Sequence, residues 1–412
     1  MVAVFTSGPG QTFVFSVFVD PILADTGMSR TELSFLYSVG TVFSAIMSLV
    51  ISHLVGKFGP RIMMVLIALF FGAACFGISW ASGSLAFLAF FAALRALGQG
   101  SLTMTAILLT VQWFVRYRGR AIGMVSMGMA AANAFFPPFC QWLISSVGWR
   151  PSYQILGVAI WLLVIPAAIF IVKDRPEKIG LSPDGLPPEL AALKPVEDVE
   201  DKEEANQGNI IESALEPEAA RVWRSWRFWQ LVLPLSAGPF VITALIFHQI
   251  SILAEHGQNA QVSSVVFVVW AVSSAIMTAF SGFLLERFEP KLVLLGVLVF
   301  LTVGAVGLLL VNSLVLALSY AVIMGSAAGS LFVISGVIWA HYYGRKRVGV
   351  YQGAGALVNI SGAALAPLPL AALQQLSGNY TAGVIGIACV PVLSFILLLS
   401  YKSSQRPHQD EE

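Results

Sequence analysis

The sequence predicts an all-α membrane protein of twelve transmembrane helices, arranged as two pseudosymmetric six-helix halves. Of its 412 residues, 57% are hydrophobic and only 11% are charged, whereas soluble domains carry about 25% charged residues. Charge-poor stretches that are long enough to cross a ~30 Å hydrocarbon core recur along almost the whole chain. Because lipid cannot pair with backbone polar groups, stretches of this length must be helices.

The twelve predicted spans fall into two groups of six. The first six precede the only extended polar stretch of the chain, and the last six follow it. We place the spans at 3–24, 31–55, 62–80, 84–112, 121–144, 152–172, 228–254, 262–285, 292–312, 314–340, 348–372 and 381–401.

Lysine and arginine side chains predict the orientation of the helices, because short loops rich in these residues stay in the cytoplasm. If both termini are cytoplasmic, the predicted outer loops contain only Arg30 and Arg150, and Arg95 lies within a span. All other basic residues then fall on cytoplasmic turns, in the polar stretch or in the C-terminal tail. We therefore predict a multi-pass protein of the cell membrane with both termini in the cytoplasm.

The composition also argues against several classes of function. The basic residues are spread over turns instead of gathered in one patch, which argues against a nucleic-acid partner. Cys75, Cys140 and Cys389 each fall inside a predicted span, so neither a disulfide framework nor a metal motif is expected. No Walker pattern follows the glycine-rich stretch 353–362. We expect no metal, no cofactor and no enzymatic activity.

Residues 173–227 form the extended polar stretch and are predicted to be a cytoplasmic linker. The stretch is rich in proline and includes the acidic run EDVEDKEE at 197–204, a composition that cannot bury enough apolar surface to order itself fully. Its end, RVWRSWRFWQ at 221–230, mixes arginine with tryptophan, as an interfacial helix in contact with anionic membrane lipid would. The predicted domains are 1–172, this linker, and 228–412 with a short cytoplasmic tail.

Four landmarks of the first half return in the second half at an offset of 229 or 230 residues. The pairs are Gly8-Pro9 and Gly238-Pro239, HLVGKFGPR at 53–61 and FLLERFEPK at 283–291, WFVRYR at 113–118 and YYGRKR at 342–347, and Pro138 and Pro367. Apolar sequence of low complexity would not hold one offset across four helices by chance. The chain is therefore predicted to be a duplicated six-helix unit.

These features resemble the major facilitator superfamily of secondary transporters over essentially the whole chain. The most specific motif of that family lies in the turn between the second and third helices, and it usually reads glycine, an apolar stretch, Asp-Arg, then glycine and a basic residue. Residues 52–61 fit it except that Ser52, Gly56 and Lys57 stand where glycine, aspartate and arginine are usual. The resemblance implies that Lys57 and Arg61 belong to a latch that holds neighbouring helices in the outward-facing state. The acidic residue of that latch is missing at Gly56.

The corresponding turn of the second half fits the motif better. Gly282, Glu286, Arg287 and Lys291 stand at the expected positions. The resemblance implies a gating role for Glu286, Arg287 and Lys291. A simpler interpretation also stays open, since any tight cytoplasmic turn needs glycine and basic anchors.

Two further stretches resemble narrower parts of the family. Arg95-Ala-Leu-Gly98-Gln99-Gly100 in the fourth helix is similar to a second family signature. RPEKIGLSPDG at 175–185 looks like the segment after helix six in the monocarboxylate-porter and oxalate–formate-antiporter branch. That branch typically carries basic residues in helices eight and eleven that pair with a carboxylate, but the spans 262–285 and 348–372 contain none. If the solute is a carboxylate, Arg95, His248 and neutral donors must bind it.

Arg95 and His248 are ionisable side chains within predicted spans, where such residues face the protein interior or a water-filled cavity. Arg95 lies near the midplane and could attract an anionic solute or respond to a proton. The alternative is a structural arginine bonded to helix-end carbonyls or to Gln99. His248 titrates near neutral pH, which a proton-coupled carrier can use, although a histidine near an interface is more often only a hydrogen-bonding residue. Arg95, Gln99 and His248 are candidate substrate-binding residues.

Interruptions of helices one and seven point to a central binding cavity. Gly8-Pro9-Gly10-Gln11 and Gly238-Pro239 are predicted to break these helices at corresponding places, and broken helices expose backbone groups that can meet a substrate. Gln11 is therefore a candidate binding residue. Asn133 and Asn359, on the equivalent helices five and eleven, could line the cavity or only join helices. Proline is common in membrane helices, so the interruptions also have an ordinary explanation.

Asp20 lies at the predicted outer end of helix one, beside Pro21. Pseudosymmetry places His248 near the same level, so the two side chains could form an outer gate. The alternative is an ordinary helix end with a polar residue and a proline.

The sequence thus predicts a secondary transporter that moves a small organic solute by alternating access. The resemblance implies a monocarboxylate or another organic anion, a coupled proton or counter-anion, and a monomer. Two alternatives stay open: an efflux carrier of a neutral or drug-like solute, and a transporter-like receptor that binds a ligand without moving it. A receptor would need a large regulatory domain, and the linker 173–227 is too polar and too short to be one.

Overall fold

A computed structural model of the protein describes residues 1–114, 118–176, 181, 219–344 and 348–401. All regular elements of this described part are helices, and it contains no β-strand. The predicted all-α fold is confirmed.

The N-terminal helices lie between residues 2 and 170. They are α1 (Val2–Thr6), α2 (Thr12–Thr26), α3 (Arg30–Phe58), α4 (Pro60–Trp80), α5 (Ser84–Leu94), α6 (Thr103–Trp113), α7 (Arg118–Val147) and α8 (Trp149–Phe170). Two irregular segments interrupt this series: the 3₁₀ turn Gly8–Gly10 between α1 and α2, and the π-helical segment Arg95–Leu102 between α5 and α6.

The described C-terminal helices lie between residues 219 and 399. They are α9 (Ala219–Arg224), α10 (Trp226–Glu255), α11 (Ala260–Arg287), α12 (Pro290–Leu308), α13 (Leu314–Tyr343), α14 (Val348–Leu365), α15 (Pro367–Ser377) and α16 (Thr381–Leu399). Helices α14 and α15 meet at Ala366, which itself has helical dihedral angles, so together they form one span.

Within the described residues, 10 helices are long and apolar enough to cross a membrane. They correspond to the third to twelfth predicted spans. The first predicted span, 3–24, is the interrupted helix α1–α2, and the second, 31–55, lies within the 29-residue helix α3. The chain is therefore a multi-pass α-helical membrane protein.

The chain divides into two compact units. The first consists of residues 1–15, 39–136 and 142–208, and the second of residues 16–38, 137–141 and 209–412. In the first unit α4 packs against α8, whereas in the second α11 and α12 pack against α13, and α10 packs against α14 and α16. Fully buried aromatic rings such as Phe71 in the first unit and Phe247 in the second belong to the cores of these units. The division at the linker 173–227 stays a prediction.

Only the first of the two predicted helix interruptions is present. At Gly8–Gly10 the chain leaves the α-helix, and Gln11 is extended, with φ −92° and ψ 153°. Helix α10, by contrast, continues through Pro239 to Glu255. The prediction of a matching break at Gly238-Pro239 is wrong. A single proline removes only one N–H donor, which a membrane helix tolerates, whereas Pro9 lies between two glycines that readily leave the helical conformation.

Gly10 allows the interrupted segment to approach the π-helical segment closely. A Cβ atom at Gly10 would collide with the carbonyl oxygen of Leu94 and would lie 2.9 Å from the Cα atom of Gly98. π-Helical segments are rare and are found frequently at functional sites. The two irregular segments of the first unit are thus in direct contact.

We expect Gly10→Ala to lower the free energy of unfolding by about 1–3 kcal/mol, as overpacking typically does. The neighbouring atoms belong to the backbone and cannot rotate away from the added methyl group. Gly123→Ala is the matched control, because no atom of the described residues lies within 4 Å of a Cβ atom built on Gly123. Thermal unfolding of the two purified variants measures the difference, and equal midpoints would contradict the close approach at Gly10.

Candidate functional site

The Arg95 side chain is buried in the first unit, with 4% of its surface exposed. It stands at the start of the π-helical segment. Its Nε donates a hydrogen bond to Thr41 Oγ1 at 3.2 Å, and its Nη1 donates to the carbonyl oxygen of Gly10 at 3.2 Å and to Thr12 Oγ1 at 3.3 Å. The guanidinium group therefore joins the fourth predicted span to the second span and to the interruption in the first.

This geometry supports two roles for Arg95. Bonding to a helix-end carbonyl is the structural role that the sequence left open, because Gly10 ends the 3₁₀ turn. Thr41 and Thr12 contribute neutral hydroxyl acceptors, and the three distances given above lie at or beyond the long end of the usual N–H···O range. Arg95 thus holds the interruption in place and also sets a positive charge beside it.

Two further candidates, Gln11 and Gln99, belong to the same unit as Arg95. Gln11 is buried directly after the interruption, and its Nε2 donates a hydrogen bond to Ser7 Oγ at 3.2 Å. Gln99 lies in the π-helical segment with an exposed side chain. Gln11 therefore closes the 3₁₀ turn from its C-terminal side, which is a structural contact.

Asn133 on α7 has a buried Oδ1 atom with no hydrogen-bond partner among the described residues. An unpaired buried acceptor costs about 1–3 kcal/mol. A ligand that donated a hydrogen bond here would remove that cost. Among the candidate amides, Asn133 is the one whose surroundings favour a ligand.

Asn359 and His248 have partners within the second unit. Asn359 Oδ1 accepts a hydrogen bond from Ser236 Oγ at 2.6 Å, which joins α14 to α10. His248 is fully buried. Its Nε2 lies 3.1 Å from the carbonyl oxygen of Pro367, and its Nδ1 lies 3.4 Å from the Tyr380 hydroxyl. These contacts fit the helix-joining role that the sequence left open for both residues.

Asp20 pairs with Arg30, and both residues belong to the second unit. Arg30 Nη2 lies 2.7 Å from Asp20 Oδ1, and Ser251 Oγ lies 2.9 and 2.8 Å from the two carboxylate oxygens. Arg30 Nη1 donates a hydrogen bond to Ser251 Oγ at 2.8 Å. The three side chains, which we call the outer cluster, form a closed ring of hydrogen bonds that joins α2, α3 and α10.

Tyr380 connects the outer cluster to His248, so the expected relation between Asp20 and His248 is indirect. The guanidinium carbon of Arg30 lies 5.7 Å from the centre of the Tyr380 ring, within cation–π range. The backbone N–H of Tyr380 donates to the Glu255 carboxylate at 3.1 and 3.3 Å. Burial raises the pKa of the Tyr380 hydroxyl, and Arg30 acts in the opposite direction. The hydroxyl therefore stays neutral at physiological pH.

The first predicted cytoplasmic turn is joined to the end of α8. Arg61 Nη2 donates a hydrogen bond to the carbonyl oxygen of Ile169 at 2.6 Å. The backbone N–H of Arg61 donates to Asp174 Oδ1 at 3.0 Å. A carboxylate at a helix N-terminus accepts an otherwise unpaired N–H and complements the helix dipole. Asp174 thus supplies this turn with an acidic side chain, which the sequence lacks at Gly56.

The second turn repeats one of these contacts. Lys291 Nζ donates to the carbonyl oxygens of Tyr401 at 2.6 Å and Leu399 at 3.4 Å. Lys291 follows Arg61 by 230 residues, and Leu399 follows Ile169 by the same number. In both halves, therefore, a basic residue of the turn binds the carbonyl groups at the end of the sixth helix.

The other three residues predicted to act in gating have exposed side chains. The Lys57 ammonium lies 5.5 Å from the centre of the Phe58 ring. Glu286 and Arg287 lie at the end of α11, and neither forms an ion pair with a described residue. A gating role for these three residues stays a prediction.

The family model of the Major Facilitator Superfamily matches residues 1–367 and 242–412. The chain belongs to the Major Facilitator Superfamily. The helical fold described above agrees with this assignment, as does the contact that the duplicated turns make with the sixth helix of each half.

Two relatives within the superfamily resemble parts of the chain. A probable sulfoacetate transporter, SauU, of Cupriavidus necator is 26% identical over 166 residues, which are 40% of this chain and 38% of the relative. The riboflavin transporter RibJ of Trypanosoma brucei brucei is 25% identical over 180 residues, which are 41% of this chain and 32% of the relative. The chain thus matches about a third of the length of each of these two curated relatives.

A third relative matches nearly the whole chain, as do solved structures. The nitrite extrusion protein of Bacillus subtilis is 20% identical over 399 residues, 94% of this chain and 89% of the relative. A bacterial homolog to the human lysosomal transporter Spinster, solved in an inward-facing and occupied conformation, superposes with a TM-score of 0.66 at 16% identity, covering 97% of this chain and 93% of that one. Its inward-facing and unoccupied structure gives a TM-score of 0.68. These structures show that the fold is shared.

The sequence did not single out several residues that the structure brings into these sites. The sequence does not mark Thr12 or Thr41 as site residues, because threonine is common in membrane helices. Arg30 could have been identified from the sequence, since it is one of only two basic residues on the predicted outer side. Asp174 also gave a signal, because it lies two residues after the last predicted span of the first half. It could have been compared with the acidic residue that is missing from this superfamily's motif at Gly56.

We expect Asp174→Ala to lower the free energy of unfolding by about 0.5–2 kcal/mol, the usual cost of removing a helix cap. The substitution leaves the backbone N–H of Arg61 without its carboxylate partner. Glu286→Gln is the control, because it removes an exposed acidic charge at the other turn. Thermal unfolding in detergent measures both variants. If Glu286→Gln destabilised the protein as much as Asp174→Ala, the cap would not be the cause.

Proposed function

We propose that the protein is a secondary transporter that moves a small organic anion across the membrane by alternating access. The observation that carries this proposal is the buried guanidinium of Arg95, held by a carbonyl group and two hydroxyl groups at the interrupted first helix. A cation in the membrane interior is costly and is by default a sign of function. We propose that an anionic solute binds to this guanidinium group.

The names of the relatives support an anion. Sulfoacetate and nitrite, after which two of them are named, are both anions. A guanidinium group can bind a carboxylate or a sulfonate through two parallel N–H groups, which a lysine ammonium cannot copy. We therefore propose a small carboxylate or sulfonate as the solute. A monocarboxylate, which the resemblance to the monocarboxylate-porter branch implies, belongs to this class.

Binding and the structural role of Arg95 are compatible. The described bonds to Thr12 and Thr41 are long, and a hydroxyl group can turn to donate to an anion after it has been replaced as an acceptor. The bond to the Gly10 carbonyl keeps the guanidinium in place meanwhile. Asn133, with its unpaired amide oxygen, would pair with a donor group of the solute. Gln11 and Gln99, which belong to the same unit as Arg95, complete the set of proposed binding residues in that unit. His248 and Asn359 belong to the second unit, and we propose them separately as binding residues.

We further propose that the outer cluster of Asp20, Arg30 and Ser251 is a gate. It joins three helices. The distribution of basic residues predicts that this cluster lies on the outer side of the cell membrane, with both termini in the cytoplasm. Lys57, Arg61, Glu286, Arg287 and Lys291 would act at the opposite end. A coupled proton or counter-anion, and a monomeric state, are part of the same proposal.

Transport by the purified protein in liposomes tests the anion site. A thermal-shift screen of sulfonates, carboxylates, nitrite and riboflavin selects the solute, and sulfoacetate is the first probe. We expect Arg95→Lys to raise the concentration for half-maximal counterflow by about tenfold or more, which corresponds to about 1.4 kcal/mol of lost binding energy. Stabilisation by riboflavin alone would favour a carrier of neutral solutes, and binding without counterflow would favour a receptor.

Arg150→Lys is the matched control for this experiment. Arg150 also donates to backbone carbonyl groups, those of Ser79 at 2.8 Å and Ala81 at 3.2 Å, but it lies at the start of α8. We expect this variant to lose thermal stability without a change in half-saturation. If Arg95→Lys behaved in the same way, the arginine would be structural only and the anion site would be refuted.

Labelling of a buried cysteine tests the gate. Ser34 lies one helical turn after Arg30, is fully buried, and has no hydrogen-bond partner among the described residues, so Ser34→Cys is a mild reporter. In a background without the three native cysteines, we expect Asp20→Asn to increase the rate at which a membrane-impermeant maleimide modifies this cysteine from the outside. The charge-exchanged pair Asp20→Arg with Arg30→Asp should restore part of the protection. Equal labelling rates in all three backgrounds would rule out the gate.

A further inference from the structure

Helix α9 and the start of α10 present a basic, aromatic surface. The side chains of Arg221, Arg224, Trp226 and Arg227 are all exposed, and 64% of the Trp226 surface is accessible. Within the described residues 219–230 there is no acidic side chain. We call Arg221, Arg224 and Trp226 the arginine face.

Buried aromatic contacts fix the frame that carries the arginine face. Val222 is 3% exposed and Phe228 is fully buried, so they anchor the opposite side of the segment. The Phe228 ring lies 5.7 Å from Trp339, and 5.6 Å from Trp223 in an edge-to-face contact. The indole N–H of Trp229 donates to the carbonyl oxygen of Trp223 at 2.9 Å. The arginines therefore extend from a well-packed element.

The arginine face lies at the end of a membrane-crossing helix, and therefore at the level of the lipid headgroups. Trp226 is the first residue of α10, and α10 is one of the helices long and apolar enough to cross a bilayer. A tryptophan at the end of such a helix typically lies at the level of the lipid headgroups. Arg221 and Arg224, within six residues of that point, are in reach of the same layer.

Arg221 and Arg224 also favour an anion through their mutual geometry. Residues three apart on a helix are neighbours, and two like charges at that spacing repel each other. A phosphate group between the two guanidinium groups would remove this repulsion and accept hydrogen bonds from both. Arg227 is also exposed, but it belongs to α10 and not to α9, which carries the Arg221 and Arg224 pair, so it is not counted in the site.

From the exposed pair Arg221 and Arg224 beside Trp226, at the end of a membrane-crossing helix, we infer a binding site for the phosphate headgroup of an anionic phospholipid. The two guanidinium groups bind the phosphate, and the Trp226 ring lies against the upper part of the acyl chains. The lipid thereby fastens the end of the predicted linker to the bilayer.

Titration of the full chain in detergent with soluble short-chain lipids tests this site. The probes are dihexanoyl phosphatidylglycerol, dihexanoyl phosphatidylcholine and inorganic phosphate, and the readouts are the dissociation constant and the shift in the unfolding midpoint. We expect phosphatidylglycerol to bind and phosphatidylcholine to bind much more weakly. Each arginine near an anionic surface contributes about fivefold in affinity, so Arg221→Gln with Arg224→Gln should weaken phosphatidylglycerol binding by about 30-fold.

The matched control is Lys57→Gln with Arg287→Gln, which removes two exposed positive charges elsewhere. We expect this control to keep the affinity for phosphatidylglycerol. An equal loss in both double variants would show general charge attraction and overturn the site. Unchanged binding of phosphatidylglycerol after the loss of Arg221 and Arg224 would also overturn the site. A third contradicting result would be that the double variant unfolds at a midpoint lowered by the same amount in phosphatidylglycerol and in phosphatidylcholine, because the two arginines would then act only on the helix dipole.

Two further outcomes would assign the arginine face to other occupants. Binding of inorganic phosphate as tightly as phosphatidylglycerol would mean that a free anion is the ligand. If phosphatidylglycerol bound only after Glu203→Gln and Glu204→Gln, the acidic run of the chain itself would cover the face. Either result overturns the lipid site. None of these outcomes depends on the solute or on the transport reaction.

Discussion

An interrupted helix inside a membrane must find partners for the backbone groups that the interruption leaves unpaired, and Arg95 supplies one of them here. Its Nη1 donates to the carbonyl oxygen of Gly10, where the first helix leaves the α-conformation. In lipid an unpaired carbonyl costs several kcal/mol, and no water is present to replace the lost partner. The guanidinium in turn needs the carbonyl and the threonine hydroxyls, because a buried cation without acceptors would be more costly still. The interruption and the arginine therefore depend on each other.

Comparison of the two halves separates the contacts that both halves share from the features that occur in only one of them. The contact between the turn and the end of the sixth helix occurs twice, through Arg61 and through Lys291, and so belongs to the duplicated unit. The interruption does not: α10 is continuous, and the residue that corresponds to Arg95 is the fully buried Met324. The second half folds with neither an interruption nor an arginine at this position, so the two features belong together and are not part of the duplicated scaffold. Features found in one half only are the ones that function explains more readily than folding does.

The apolar composition, the length of the apolar stretches and the internal repeat predicted the fold. A chain that crosses the hydrocarbon layer must be long enough to span it and must pair its own backbone N–H and C=O groups, which leaves few folds to an apolar sequence. The same patterns could not show which proline breaks a helix, since Pro9 and Pro239 differ only in the neighbouring glycines and in what packs beside them. The partner of Asp20 was equally hidden. Pseudosymmetry compares levels along the membrane normal, whereas the choice between Arg30 and His248 depends on side-chain reach across three helices. Contacts of this kind are set by packing, which local sequence does not encode.

The exposure of the outer cluster bears on whether it could open. Side-chain exposure is 20% for Arg30 and 38% for Asp20, so water partly screens the pair. A fully buried ion pair would pay a large desolvation cost and would leave an uncompensated charge when it separated. A partly hydrated pair avoids that penalty, because each charge can be solvated once the helices move apart. Ser251 adds directional hydrogen bonds without adding charge. The proposed gate would form and break in every transport cycle, which such a near balance allows, whereas a stronger contact would hold the protein in a single state.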